Sequence, residues 1–328
     1  MDPYHNINEE NIYTWPNAHF PFSPLFEDAN CRIFLIENIP HNYTWLKSCA
    51  KNIRDTDFFF VTLGWHLSSH LANQSRYILD HLGLNKNNFF ILYNSPEEEK
   101  NGAAFGLRGT IINHNAWLDD DFLKPRDLEK KYNALYIARA TDFKRHHLAS
   151  QIPRLALAAG GHTHDDLSFD LPPAINDPSI RLSKDEICNI INESYCGLSL
   201  SQEEGACYSS SEYLLCGIPV ISTPSKGGRD VWYNEGNSII CDDTPEGVAE
   251  AVKDCLSRKW DPQGIRDTHI AHANYYRYKF IRELQKVLDE YTDENLYASQ
   301  IFKKNFQWYC NGTTGTTPHI EEVKSYFQ

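Results

Sequence analysis

No stretch of this chain approaches the roughly 20 consecutive apolar residues that a membrane-spanning helix needs, so no integral membrane segment is expected. Cations are in deficit: 31 Lys and Arg stand against 44 Asp and Glu, for a formal net charge of −13. That balance argues against nucleic acid as a partner and against a polybasic patch for anionic lipid. The opening residues Met1-Asp2-Pro3-Tyr4-His5 lack the basic and apolar regions of a signal peptide. The nine cysteines are dispersed, with no C-x-x-C pair, which together with the missing signal predicts a reducing cytosol. The N-x-[ST] matches at Asn42, Asn73, Asn192 and Asn311 are then chance. No G-x-G-x-x-G follows the first strand of either half, which weighs against an NAD enzyme. No G-x-x-x-x-G-K-[ST] loop for nucleoside triphosphates is present, no G-x-S-x-G elbow, no internal repeat and no low-complexity tract.

What is present is enough for two ordinary α/β domains: 328 residues, 41% hydrophobic and 23% charged. In the first half, short apolar runs at 32–36, 58–63 and 89–93 have the length of buried parallel strands. Helical candidates lie between them, near Trp45 to Ile53 and Ser68 to Leu84. The polar stretch from Asn113 to Asp121, continuing through Pro125 to Lys131, reads as a linker. Beyond it the alternation restarts: strand 134–138, a helix around Arg145 to Ser150, strand 154–159, and a helix from Lys184 to Asn192. Ser183 and Glu186 form a capping box for that last helix. Strands 198–201, 219–222 and 238–241 follow, then a helix opened by Thr244-Pro245-Glu246 and a long one from Gln263 to Tyr291. Repetition at this spacing predicts right-handed βαβ units and a doubly wound sheet.

The most informative run is Ser201 to Ile221. It reads as strand end, acidic loop, short helix, Gly217 as the glycine stop, and a strand opened by Pro219. A strand–loop–helix corner is where α/β sheets bind ligands, because the helix N-terminus offers unpaired N–H groups to an anion. Glu204 and Glu212 bracket the helix and are at most roughly 12 Å apart along it. A solvated Glu before an amphipathic helix, with a second on its wet face, would give the same pattern. Arg139 and Lys144 follow strand 134–138 at its carboxyl end, where two cations suit a diphosphate, though ordinary surface cations also occupy such loops. Lys226-Gly227-Gly228-Arg229 is a loop whose amides could approach a ligand, or a plain surface turn. His66, after Gly64-Trp65 at the carboxyl end of strand 58–63, could orient a sugar or be structural. His162 and His164 beside Asp165 and Asp166 lack further ligands at helical spacing, so no metal site is expected. Asp119-Asp120-Asp121 reads as solvated linker.

These pieces resemble the retaining GT-B glycosyltransferases, most closely family 4, over about residues 111 to 290. The resemblance rests on Ile111 to Asn115 before the linker and on Ala138 to His146 as a "G-R…K-G" loop. It rests further on Glu204 and Glu212 as an E-x7-E signature within an "EG…E…CG.PVI" frame, on Gly227-Gly228, and on Gly236 to Asp243. Ala138 and Arg145 replace glycines of that pattern, and Ala206 stands where an aromatic is common. The resemblance implies an α/β fold of GT-B architecture, two Rossmann-like domains facing across a cleft. Residues 1–125 would form a short acceptor domain, with 291–328 crossing back onto it, and 126–290 the donor domain. It implies transfer of a sugar from a UDP-, GDP- or other nucleoside-diphosphate sugar to a carbohydrate, lipid-linked or small-molecule acceptor, with no cofactor and no metal. Arg139 and Lys144 would neutralise the leaving diphosphate. Glu204 would contact the reacting sugar, Glu212 the ribose hydroxyls, and Gly205, Ala206, Cys207, Gly227 and Gly228 the donor through their amides. A cytoplasmic place in polysaccharide biosynthesis, free or peripheral to a membrane, is implied with it. An inactive nucleotide-sugar-binding subunit of the same shape and a nucleotide-sugar epimerase are the alternatives.

Overall fold

The computed structural model of the protein describes residue 7 and residues 9–12, 22–160, 175, 182–292, 297–306 and 319–328. The described residues form two compact units. One comprises those up to His114 and from Tyr275 onward, the other Asn115–Asn274. These breaks precede the expected 125/126 and 290/291 for local reasons. The Arg266 guanidinium binds the Leu123 carbonyl in the second unit, and Phe280 packs on Phe60 in the first.

In the first unit the strands are β1 (Phe22–Glu27), β2 (Arg32–Glu37), β3 (Asp57–Thr62), β4 (Phe89–Tyr93) and β5 (Gly109–Ile111). They lie in the order β1-β2-β3-β4-β5, with β1 antiparallel and the rest parallel. Helices α1 (Tyr43–Cys49), α2 (Ser69–His81) and α3 (Pro96–Ala104) connect successive parallel strands. Ser68 caps α2 by accepting from the Leu71 N–H, and Ser95 caps α3 by accepting from Glu98. Parallel register puts Phe34 opposite Phe59 and Phe59 opposite Phe89. Their rings stack at 5.4 and 4.6 Å. Alternation turns Phe60 to the other face, where it meets Phe280 edge-on at 5.0 Å. Arg32 and Asp57, both buried, pair through two hydrogen bonds of 2.5 and 2.7 Å at the amino end of the sheet.

The second unit holds β6 (Ala134–Arg139), β7 (Leu155–Gly160), β8 (Gly197–Ser199), β9 (Val220–Ser222) and β10 (Ser238–Ile240), all parallel, in the order β10-β9-β8-β6-β7. Helices α4 (Lys184–Asn192), α5 (Tyr208–Leu215) and α6 (Pro245–Ser257) follow β7, β8 and β10. Leu148, Ala149, Val248 and Val252 cover one face of the sheet. On the other, Gly197 admits the ring of Tyr213 from α5, a Cβ at 197 lying 2.1 Å from it, and the Tyr213 hydroxyl accepts the Ile137 N–H at 2.8 Å.

Helix α7 (Pro262–Tyr291) contributes to both units, and α8 (Ala298–Phe306) and α9 (Ile320–Ser325) belong to the first. Just beyond α9, Phe327 stacks on Trp45 at 5.4 Å. The helix expected around Arg145 to Ser150 is instead a 3-10 turn over His146–Ala149, because Arg145 takes a left-handed conformation at φ 50°. β8 spans Gly197–Ser199 rather than 198–201. Ser201 leaves the ladder to meet Glu204.

Candidate functional site

The chain enters the second sheet at β6, moves outward to β7, then returns past β6 to β8 and continues the other way. Connections on the two sides of this reversal cover opposite faces, so the loops after β6 and β8 part and leave a crevice at the carboxyl ends of those strands. Open α/β sheets bind ligands at such a switch point. Arg139 to Arg145 form the loop after β6, and Leu200 to Cys207 the loop after β8.

Lys144 and Glu204 meet there. Lys144 Nζ donates to Glu204 Oε1 at 2.5 Å, and both residues are buried. The Ser201 hydroxyl donates to the same oxygen. Burial pushes the Glu204 carboxyl up, but Lys144, Ser201 and Arg229 outweigh it and hold the group below its ordinary value. Glu204 is therefore an ionised, hydrogen-bonded carboxylate at neutral pH. Arg139 is exposed, with its guanidinium 5.5 Å from the centre of the Phe143 ring, while Lys144 Nζ lies 5.1 Å from that ring. One aromatic side chain thus aligns both cations. The Tyr136 hydroxyl donates to the Lys144 carbonyl, and His146 Nε2 pairs with the Arg139 carbonyl at 2.8 Å. Burial holds the His146 imidazole below its usual range, so it accompanies the loop as a neutral ring.

Arg145 ties this loop to the sheet. Its Nε donates to the Leu200 carbonyl at 2.6 Å, Nη2 to Thr223 Oγ1 at 2.7 Å, and Nη1 to the Asp243 carboxylate at 3.0 Å.

The amino end of α5 is fixed from three directions. Asn115 Nδ2 donates to the carbonyls of Ala206 (2.7 Å) and Cys207 (3.1 Å) and lies 2.9 Å from Ser211 Oγ. Cys207 caps the helix at φ 57°, and the N–H of Gly228 donates to the Gly205 carbonyl at 2.9 Å. Gly227, at φ 117°, lies so close to the same loop that a Cβ would fall 2.1 Å from the Glu204 carbonyl oxygen. Only glycine suits that position. Glu212 lies on α5 and is buried.

Lys144, Glu204, Gly205, Ala206, Cys207, Gly227 and Gly228 therefore gather around the loops at one end of one sheet, with Arg139 exposed, while Glu212 stands on the helix that follows. His66 belongs to the other unit, where it is buried with Nδ1 3.4 Å from Glu98 and Nε2 3.8 Å from Glu97. His162, His164, Asp165 and Asp166 lie outside the described residues. Among the described residues no group of His, Cys, Asp and Glu is placed to hold a metal ion. Asp119 Oδ1 accepts from the N–H groups of Asp121 and Phe122, so this aspartate closes a turn. Reading Arg229 as the end of a surface turn is corrected: it is 1% exposed and bonded to Ser201 and the Thr223 carbonyl. Nothing in the sequence beside Gly-Gly and Asp announces that burial.

No family model and no curated protein matches this chain in sequence. Solved structures do match it in fold. HepE of Anabaena in complex with UDP superposes with a TM-score of 0.52 over 71% of this chain and 72% of that one, at 13% identity. A glycosyltransferase from Rickettsia africae gives 0.54 over 77% and 76%, at 13% identity. Sucrose-phosphate synthase from Thermosynechococcus elongatus gives 0.51 over 83% and 73%, at 12% identity. The fold of this protein is mixed α/β with two units on predominantly parallel sheets, matching GT-B glycosyltransferase structures.

Proposed function

We propose that this chain is a retaining glycosyltransferase of the family 4 type. It would move a sugar from a nucleoside-diphosphate sugar to a carbohydrate, lipid-linked or small-molecule acceptor, with no cofactor and no divalent ion in the chemical step. One juxtaposition carries the reading: a cation and a carboxylate, Lys144 and Glu204, lie 2.5 Å apart on the two loops that diverge at the switch point of the sheet. Breaking a glycosyl–phosphate bond builds negative charge on the departing phosphate and oxocarbenium character on the sugar. Lys144 and Arg139 meet the first charge. Glu204 meets the sugar, and its interaction strengthens as positive charge develops on the ring. A preorganised group of this kind is typically worth about 3–4 kcal/mol in the barrier. The amides of Gly205 to Cys207 and the Gly227-Gly228 loop would approach the donor, with Glu212 taking the ribose hydroxyls. The Anabaena protein of similar fold was solved with UDP and with UDP and glucose, which supports a nucleotide-sugar donor here. Transfer of a hexose, a cytoplasmic place and a part in polysaccharide synthesis belong to the same proposal.

The test is turnover by the pure full chain with UDP- and GDP-sugars in EDTA, with and without simple sugar acceptors, followed by proton NMR. The expected result is release of nucleoside diphosphate and a product that keeps the donor's anomeric configuration. An inverted product removes the retaining assignment, and loss of turnover restored only by magnesium or manganese removes metal independence. Epimerised sugar nucleotide formed without acceptor would make the protein an epimerase. Donor binding without turnover in every combination would make it a binding subunit.

A further inference from the structure

Glu204 is held by two cations, and only one of them touches it. Lys144 Nζ approaches Oε1 directly, at 2.5 Å. Arg229 acts through a hydroxyl: its Nη1 donates to Ser201 Oγ at 2.8 Å, and that hydroxyl donates to the same Oε1. Arg229 is anchored behind the loop, with Nη2 donating to the Thr223 carbonyl at 2.8 Å and Nε 3.7 Å from the Asp230 carboxylate. In this arrangement Glu204 neutralises Lys144, so a phosphate arriving at Lys144 competes with a carboxylate already there. Losing Lys144 to the phosphate would leave Glu204 as a buried carboxylate without its counter-charge, a costly state. The groups facing Glu204 from the surrounding elements are Lys144, Ser201, Arg229, Tyr136 on β6 and Cys207 at the cap of α5. Burial pushes the Tyr136 phenol and the Cys207 thiol up, so both stay neutral and neither can compensate Glu204.

We propose that Arg229 is a positioning residue that keeps Glu204 ionised and in place through Ser201 while Lys144 exchanges from Glu204 to the phosphate of the ligand. This rests on the reading of Lys144 as a phosphate-binding group. It carries a sign that a simple contact role does not: the carboxylate masks the cation, so removing the negative charge strengthens phosphate binding even where it harms turnover.

The experiment measures UDP affinity of the full chain by calorimetry at pH 8, for wild type, E204Q, R229Q, R229K, S201A and the E204Q/R229Q double variant. It also follows the Glu204 carboxyl by carbon-13 NMR titration of the ligand-free proteins. E204Q should bind UDP about tenfold more tightly than wild type, and R229Q about tenfold more weakly, each a modest step on the affinity scale. The weakening by R229Q should vanish in the double variant, because no ionised Glu204 remains to recapture Lys144. R229K should recover most of it. S201A breaks the relay without removing the buried arginine, and should reproduce R229Q in kind. The Glu204 titration should move upward in both R229Q and S201A. Equal or weaker UDP binding by E204Q would overturn the exchange. A weakening by R229Q that persists undiminished in the double variant would make Arg229 merely structural and overturn its assignment. Absence of UDP binding in all the proteins would remove the nucleotide reading and the exchange with it. The Glu204 titration in S201A and R229Q then decides whether Arg229 holds that carboxylate.

Discussion

In the first unit the parallel strands follow one another across the sheet in chain order, β2-β3-β4-β5, whereas in the second the chain starts inside the sheet at β6 and winds outward both ways. Right-handed crossovers between sequential neighbours all cover the same face, so the sequence of described strands in the first sheet contains no point where adjacent loops part. The second sheet contains one, and the buried Lys144–Glu204 pair sits at it. The two units also differ in what fills them. Phe34, Phe59 and Phe89 stack through the first core, while the core of the second interleaves Ala134, Ala138 and Ala159 with Tyr136, Leu157 and Ile221. Topology decides where the loops part, and the aromatic core elsewhere supplies cohesion.

Substitutions can be chosen to separate these two tasks. The largest stability effect is expected from Phe59→Ala, which removes a fully buried ring from the centre of the stack and should cost about 3–5 kcal/mol in urea unfolding. UDP affinity per folded molecule should stay near wild type, because the site residues lie in the other unit. A collapse of affinity in the folded variant would end the division of labour. Lys144→Ala is the counterpart in the second unit. It should lower kcat/KM by about 10²–10³, and because it leaves Glu204 buried without its counter-charge it should also lower thermal stability; near-normal turnover per folded molecule would break the site assignment.

A finer contrast comes from two glycines. In the second unit a Cβ at Gly227 meets backbone, 2.1 Å from the Glu204 carbonyl oxygen, at φ 117°. In the first, a Cβ at Gly64 meets the end of a movable side chain, 2.3 Å from Glu37 Oε1. Gly227→Ala should therefore cost about 1–3 kcal/mol through backbone strain, and Gly64→Ala less than about 1 kcal/mol, since the Glu37 carboxylate can swing away. Equal costs in chemical denaturation would show that the second site loop yields as easily as a side chain.

A last contrast is the pH dependence that His114 gives the first unit. Burial of His114 pushes its imidazole down to about 4, with Glu37 opposing. The unfolded chain then binds one more proton than the folded one between about 6.5 and about 4. Stability present above that window is lost as pH falls through it, and His114→Gln should flatten this limb of the urea-midpoint profile. An unchanged slope would remove His114 as its source.

Much of this contrast is legible in the chain, for reasons that also explain the misses. β2, β3 and β4 are continuous apolar runs because both faces of a parallel sheet are covered. β1 escapes notice: along Phe22–Glu27 burial recurs at every third residue, across a register shift between Pro24 and Phe26, instead of alternating, and the strand lies at an antiparallel edge. α3 carries the same Ser-Pro-Glu opening that betrays α6 in the form Thr-Pro-Glu, but its body Glu97 to Ala104 has almost no apolar stripe. At the site, Lys144 and Glu204 stand at strand-to-loop corners where chemistry is expected. Ser201 stands at the same corner as Glu204, but Arg229 does not, since burial of an arginine beside two glycines depends on Thr223 and Ser201 being folded against it.

Arg145 has a consequence of another kind. It stands in the left-handed region, where glycine would adopt the backbone conformation without strain, yet its guanidinium is bonded to Leu200, Thr223 and Asp243. A glycine there would enlarge the set of shapes open to the loop, while the arginine narrows it and fastens what remains to the segments that follow three strands, β8, β9 and β10. The loop that carries Lys144 is thus ordered before any ligand arrives. An anion arriving there would redirect side chains instead of backbone, and little of its binding free energy would be consumed in freezing the loop around it.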